Sequence, residues 1–575
     1  MFNALTGLLT RQRIVACLPL LLLVLSLGSV FLPKSSADNG SGEIISIPPT
    51  PNPDWGEYGR WDTVSAFTSP VVVTHVSVLP NGKLLAWGGS LGGTASPTPN
   101  QTRIQIWDPT ASCPPATPNP SQPCIQENLL SADFDNLYCS AHSFLPDGTL
   151  VVTGGTLTAR PTPTGTPDYT AYGTNKTALY NYATDTWTQG PNMNSPRWYP
   201  TNITLPGGGV LVWGGYSVSS QINYVPQVLE KQVDGTYTWR ALNNVRVPET
   251  SFQYYSWLNM LSSGKILHTV GEPKTSYLLT VGGTFQYSKD GEFAYPFNPS
   301  PPAADGQLNA YREGGTTIAF DKDQIIAIGG GSSPPLRTAE TINLGDSTPQ
   351  WKKVGRMVKA RKWPNATILP DGKVLVTGGN KGSGFNNSCP ENSIKEAEIW
   401  DPTNAGTNDE DGKWKLLAAA NETRIYHSSA LLLPDGRVFT GGTSALQADG
   451  SGCTSPSVDN YTIEIFSPPY LFNADGTDAA RPVIASGPSQ VNYGQTVQYT
   501  VNNAGSNPKV SLVRLPSVTH AFNQSQGFLK LTPTGTGPFS VTFPANRNEL
   551  VPGHYMMFFL TSAGVPSKAK IIQIL

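Results

Sequence analysis

Charge is scarce in this chain. Asp, Glu, Lys and Arg make up 14% of its 575 residues, against about 25% in typical soluble proteins. The net charge is −2 and no basic run stands out, so the electrostatic footprint of a nucleic-acid partner is missing. Histidine is rarer still, with six residues at positions 75, 142, 268, 427, 520 and 554. Long apolar runs are absent except near the N-terminus. What abounds is turn chemistry. The 57 glycines and 51 prolines imply many tight turns and few long helices.

The N-terminus reads as an export signal. Arg11 and Arg13 precede an apolar run from Ile14 to Leu32, and Ser35-Ser36-Ala37 resembles a small-residue cleavage site. The run is long, so an uncleaved anchor is the alternative, and it would be the only membrane contact. A secreted or cell-envelope location follows either way. Cys17 leaves with a cleaved signal, and five cysteines remain. An odd count in an oxidising compartment flags one thiol with another fate. Cys113 and Cys124 bracket a Pro-rich loop and are expected to pair. Cys389 and Cys453 lie in loops of neighbouring repeats and are a second candidate pair. Cys139 is left over.

A repeat runs through the middle of the chain. Its first copy is Leu79-Pro80-Asn81-Gly82, followed by Lys83-Leu84-Leu85-Ala86-Trp87-Gly88-Gly89. The turn recurs beginning at Leu145, Leu205, Leu261, Phe320, Leu369 and Leu433, at intervals of 49 to 66 residues. Asp-Gly and Asn-Gly supply the positive φ of a hairpin turn, and the flanking apolar runs are buried strands. The period fits a four-stranded propeller blade with loop insertions. Trp187, Trp239, Trp351 and Trp414 each precede a turn by 18 to 22 residues, as does Trp61 before the first. The segment around Trp61 is therefore expected to supply the outer strand of the last blade and to close the ring. From Arg481 to Leu575 the pattern changes to alternating strands, which suggest an immunoglobulin-like sandwich.

One address within the repeat carries chemistry. Cys139, Tyr199 and His427 each stand six residues before their turns, with Tyr426 beside His427. In a ring of blades that address converges near the axis. His520 lies between two sandwich strands, on an expected loop that could reach the axial opening. Two imidazoles and two phenols make an N₂O₂ set for a transition metal, and a tetragonal N,O arrangement points to Cu(II). No carboxylate stands at the address, which argues against a hydrolytic acid pair. Val73, Tyr255, Gly314 and Trp363 occupy the same address, and their reading is structural.

These motifs resemble the galactose oxidase and glyoxal oxidase family of copper radical oxidases. The matches are Tyr138-Cys139-Ser140, Arg197-Trp198-Tyr199, Arg424-Ile425-Tyr426-His427-Ser428 and Thr519-His520. The resemblance implies an all-β fold, a seven-bladed kelch-type β-propeller followed by an immunoglobulin-like sandwich. The expected segments are a signal or anchor over 1–37, a linker over 38–58, the propeller over 59–470 and the sandwich over 471–575. It further implies one copper ion and a thioether joining Cys139 to the ring of Tyr199. Tyr199 would be an equatorial ligand and the radical site. His427 and His520 would be the equatorial imidazoles, and Tyr426 the axial phenolate that takes the substrate's hydroxyl proton.

The implied reaction is two-electron oxidation of a small alcohol, aldehyde or carbohydrate, with O₂ leaving as hydrogen peroxide, in a chain expected to be monomeric. The family's Trp over the cross-linked tyrosine has no counterpart, since that stretch reads Gly214-Gly215-Tyr216-Ser217. Tyr216, Trp198 or Trp257 is left to cover Tyr199. Only some 20 residues separate Ala37 from Trp61, with no room for an N-terminal carbohydrate-binding sandwich, which favours the glyoxal oxidase-like branch. Arg312 is a candidate substrate-orienting group, with an ion pair to Glu313 or another carboxylate as its alternative. A non-catalytic propeller that binds carbohydrate or protein is the competing reading, because propellers serve many functions. A hydrolase is a distant third.

Overall fold

The computed structural model describes residues 52–88, 101–110, 125–157, 160–161, 167–168, 172–218, 221–245, 254–269, 276–281, 292–297, 312–331, 334–383, 389–403, 414–444, 453 and 459–575. The apolar N-terminal segment, Cys113 and Cys124 lie outside these residues.

Seven four-stranded antiparallel units are present among the described residues, each entered by a short buried inner strand. The inner strands are His75–Val78, Ala141–Phe144, Thr201–Thr204, Trp257–Met260, Thr316–Asp321, Asn365–Ile368 and Ser428–Leu432, which define blades 1 to 7. Each leads through a tight turn, Gly-containing in every blade but the fifth, where Asp323 takes the left-handed position at φ 55°, into a second buried strand such as Val210–Trp213, whose four residues are all buried. Burial on both faces explains why these strands are continuous apolar runs and do not alternate. Arg60–Thr68 supplies the outer strand of blade 7, with Trp61 opposite Phe466, so both chain ends meet in one blade as Trp61 led us to expect.

The outer-strand tryptophans bind blades together. Trp61 Nε1 donates to the Ala418 carbonyl of blade 6 at 2.8 Å, and Trp239 Nε1 in blade 3 donates to Pro191 at 2.9 Å, just beyond blade 2. Gly154 follows the second strand of blade 2 at φ 70°, where a Cβ would stand 2.3 Å from the Arg197 carbonyl of the next blade. That close approach requires glycine. Cys389 and Cys453 form the disulfide anticipated between neighbouring repeats.

A buried arginine closes four of the blades. Arg197, Arg312, Arg361 and Arg424 each donate to the carbonyl of a glycine at the end of the second strand, Gly214, Gly329, Gly378 and Gly442 respectively. In three of them the guanidinium also meets a third-strand carboxylate: Glu340 at 2.6 Å, Glu398 at 2.5 Å and Glu464 at 3.7 Å. Blade 3 has Gln227 at the matching register, opposite Val212. Without a carboxylate partner, burial draws Arg197 down to about 9.

The C-terminal sandwich packs a three-stranded sheet against a five-stranded one. Thr496–Asn502 alternates exposed and buried residues, as a half-covered strand must. Gly553–Leu560 is buried throughout. Val513, Leu515, Met556 and Phe558 of the sandwich share one continuous apolar cluster with the inner strands of blades 1, 2, 5, 6 and 7. The segment read as a loop around His520 is a hairpin, Ser517–Thr519 with Phe522–Asn523. Its first strand pairs with His75–Val78 and so extends blade 1 at the axis. Gln524 clamps it, its Oε1 accepting from the backbone N–H groups of His142 and Asn202 at 3.0 Å each.

Candidate metal centre

Six of the seven repeat addresses have left-handed backbone: Cys139 at φ 61°, Tyr199 at 60°, Tyr255 at 57°, Gly314 at 64°, Trp363 at 56° and His427 at 67°. Val73 of blade 1 is the exception. Such a conformation is costly for a bulky residue, and it recurs because each blade must turn sharply from its entry segment into the inner strand. His520 on the hairpin is also left-handed, at φ 48°.

These turns bring the four-residue donor set together. Tyr199 Oη and Tyr426 Oη are 2.9 Å apart. The His520 ring lies 5.0 Å from Tyr199, 4.7 Å from His427 and 5.6 Å from Tyr426, measured between centroids. Tyr426 and His427 are 3.8 Å apart. Cys139 is a free, buried thiol in one apolar cluster with Tyr138, Tyr199 and Tyr255. Blades 2, 3 and 7 and the sandwich hairpin thus converge on one buried volume.

Burial governs the electrostatics there. The phenols of Tyr199 and Tyr426 are pushed well above their ordinary value, by burial first and the Cys139 thiol second. Burial lifts that thiol to about 12, partly countered by hydrogen bonding with Tyr199, Thr156 and Trp198. Burial also lowers His427 to about 3 and His520 well below its ordinary value. Both imidazoles are therefore neutral, the form that ligates metal.

The donor set fits a divalent transition metal. His520 Nδ1 is 2.6 Å from Thr519 Oγ1, while its Nε2 is buried with no hydrogen-bond partner. An imidazole oriented through one nitrogen with the other bare is a ligand arrangement. Two phenols deprotonating beside two neutral imidazoles would balance a dipositive ion, and N,O donors of this kind suit Cu(II).

Other expectations fare differently. Trp198 lies against Tyr199 edge-on, at 4.5 Å and 71°, and Tyr254, which sequence reasoning missed, does likewise at 4.7 Å and 62°. Tyr216 is one ring further out, 6.3 Å from Trp198 and 5.5 Å from Tyr254. No described ring stacks parallel on Tyr199. Arg312 takes the ion-pair alternative, with Glu340 as the carboxylate. It is 4% exposed, and its guanidinium is spent on Gly329, Thr338 and Glu340 inside blade 5. Two residues unassigned by sequence join the site. Tyr138 Oη is 3.0 Å from His427 Nε2, and the Tyr255 ring is 4.7 Å from His520 with its Oη donating to the Ser140 carbonyl. Tyr138 was findable, since it precedes its address as Tyr426 precedes His427.

Comparison with known proteins bears on the fold and on the family it resembles. Residues 481–574 match the family model of galactose oxidase-like early set domains, and residues 318–470 that of the glyoxal oxidase N-terminus. Galactose oxidase from Gibberella zeae is 27% identical over 551 residues, covering 90% of this chain and 70% of that protein. The aldehyde oxidase GLOX of Vitis pseudoreticulata is 28% identical over 476 residues, covering 76% and 82%. A solved structure described as a novel fungal alcohol oxidase with catalytic diversity among the AA5 family, in complex with copper, shares the fold. It aligns with a TM-score of 0.71 at 24% identity, covering 90% of this chain and 99% of that one. In sequence and in fold the chain is similar to the galactose oxidase and glyoxal oxidase family.

Proposed function

We propose that this chain is an extracytoplasmic oxidase that converts a primary alcohol or small aldehyde to the next oxidation level, with O₂ reduced to H₂O₂. The observation that carries the reading is the convergence of Tyr199, Tyr426, His427 and the orphaned Nε2 of His520 from four separate elements, beside a free buried Cys139. The Cys389–Cys453 disulfide supports an oxidising compartment.

Tyr199, Tyr426, His427 and His520 would hold one copper ion, and Cys139 would be joined to the Tyr199 ring by a thioether. Copper and an oxidised Tyr199 together would supply two one-electron acceptors for a two-electron oxidation. The chain's own residues do the rest. Tyr426 Oη, 2.9 Å from Tyr199 Oη, would take the substrate's hydroxyl proton once deprotonated as a metal ligand. Trp198 and Tyr254 screen the oxidisable ring from water, and a sulfur substituent would ease its oxidation by donating into the ring. Burial of the phenols and imidazoles keeps competing charge out of the site.

Reconstitution with Cu(II) under oxygen tests the reading. The mature chain should weigh two hydrogens less than its reduced form, and the Tyr199 peptide should stay bound to the Cys139 peptide. Separate peptides with Cys139 freely alkylated would sink the proposal. A peroxide assay over alcohols and aldehydes then sorts substrates. A non-catalytic binding propeller predicts no stoichiometric copper and no effect of Cys139→Ser.

A further inference from the structure

Three neighbouring pairs of addresses are tied backbone to backbone. The Tyr199 N–H donates to the Cys139 carbonyl at 3.0 Å, the Tyr255 N–H to Tyr199 at 3.3 Å, and the Trp363 N–H to Gly314 at 2.5 Å. By this pattern the Cys139 N–H should find the carbonyl of Val73. Val73 is the one address without left-handed backbone, and the Cys139 N–H donates instead to His75 Nε2 at 3.1 Å.

That contact fixes the direction of everything behind it. A backbone N–H can only donate, so His75 Nε2 must accept and its Nδ1 must carry the hydrogen. His75 Nδ1 is 3.3 Å from His142 Nε2, which therefore accepts in turn. His142 Nδ1–H then faces the Ser517 hydroxyl, in a short contact, and Ser77 Oγ at 3.2 Å. Ser77 and Ser517 close the end at 2.8 Å. All four side chains are fully buried, and His75 is held flat against Trp87 at 5.0 Å and 3°. A second proton on either imidazole would set donor against donor. Ser517 begins the hairpin strand three residues before His520.

We propose that His75 and His142 are positioning residues. They form a line of neutral imidazoles tying the Cys139 backbone to the His520 hairpin, which holds the Cys139 sulfur and the hairpin imidazole in register around Tyr199. The inference rests on the copper and thioether reading above. It assigns a role to two of the four histidines that the donor set leaves unused, and accounts for an imidazole at blade 1 where blades 2, 3 and 5 offer a carbonyl. Thioether formation joins Cys139 Sγ to a Tyr199 ring carbon. The S–H and ring C–H bonds break, and two electrons and two protons pass to O₂ as H₂O₂. The sulfur's position therefore limits the rate.

Two readouts independent of turnover test this: exchange of the Cys139 amide hydrogen in the metal-free chain, and the rate of the two-hydrogen mass loss after Cu(II) and oxygen are added. His75→Leu removes the acceptor, and both amide protection and cross-linking rate should fall by about tenfold. His75→Gln, whose amide oxygen reaches the same point, should restore most of both. Copper stoichiometry should stay near one per chain in every variant. Equal rates for His75→Leu and wild type, or equal losses for Leu and Gln, would overturn the proposal. Should His75→Leu not fold, His142→Phe breaks the line one link further from Cys139. It should slow cross-linking by a few fold, and a wild-type rate there overturns the proposal as well. If wild type itself loses no mass on copper, the thioether reading fails, while amide exchange still decides whether the imidazole line holds Cys139.

Discussion

Arg361 and Trp363 stand two residues apart in blade 6, yet the first recurs from blade to blade and the second does not. An arginine stands two residues before the address in blades 3, 5 and 6 and three before it in blade 7, and in each its guanidinium bonds the glycine that ends the second strand. The address position is Cys, Tyr, Tyr, Gly, Trp or His, always left-handed, in the six blades that follow the first. One position is held by the blade's own hydrogen bonding. The other is held through its backbone, by a left-handed turn and in several blades a bond from its N–H to the neighbouring blade, which leaves its side chain free to differ. A propeller thus separates what closes the ring from what fills its centre.

The largest expected effect comes from breaking the address side. Tyr199→Phe keeps the ring but removes the oxygen bonded to Tyr426. Activity should fall by about a thousandfold or more, while stability changes by no more than about 1 kcal/mol. Peroxide release and thermal melting of the same preparation check both halves. A large loss of stability would show that the two positions are not separable.

Next comes the clamp side, where the effects should reverse. Arg312→Met leaves Glu340 buried without its cation. Removing one partner of a buried pair costs about 3–5 kcal/mol, readable as a lower denaturant midpoint. KM of the folded fraction should not move. A raised KM with unchanged stability would return Arg312 to the substrate.

Much of this contrast was legible beforehand, and the failures are instructive. The blades declared themselves because Asp-Gly or Asn-Gly turns and Gly-Gly ends serve backbone geometry, which few residues satisfy. The address was visible as a spacing, although its left-handed backbone was not, because Cys, Tyr, Trp and His carry no local signal for positive φ. The partner of Arg312 stayed open for a related reason. Its partners Gly329, Thr338 and Glu340 arrive from the second and third strands, and sequence distance hides such pairs. Comparing Arg197, Arg312, Arg361 and Arg424 across repeats would have exposed the clamp. The edge-on cover by Tyr254 depends on a contact between blades 3 and 4, which no repeat spacing encodes.

A smaller effect separates ring stability from site chemistry by pH. His268 of blade 4 is fully buried between Trp213 and Tyr277, and burial lowers it to about 3. Unfolded, it titrates near 6.5. Between those values the unfolded chain binds a proton that the folded chain refuses, so stability is complete above about pH 6.5 and declines as pH falls toward 3. The slope is at most about 1.4 kcal/mol per pH unit from this residue. His268→Leu should flatten the pH dependence of the urea midpoint by that amount and leave copper binding intact. An unchanged slope would assign the acid sensitivity to other groups, the remaining histidines and the ion-paired carboxylates.

The smallest effect concerns the cover of Tyr199. Trp198 and Tyr254 both meet its ring edge-on, and an aromatic pair of this kind contributes about 0.5–1.5 kcal/mol. Edge-on neighbours exclude water without extending the ring's π system, so they should protect an oxidised Tyr199 more than they tune its potential. Trp198→Phe preserves an aromatic edge and should shorten the lifetime of the oxidised form by less than about tenfold. Tyr254→Leu should act similarly. Because the two rings also touch each other at 5.7 Å, the double variant should lose less than the two singles combined. Decay of a radical signal would measure lifetime, and peptide mapping shows whether the proposed Cys139–Tyr199 linkage still forms. A loss confined to Trp198→Phe and accompanied by a shift in potential would mean that Trp198 shares the unpaired electron, and the cover would then belong to the chemistry rather than to its shielding.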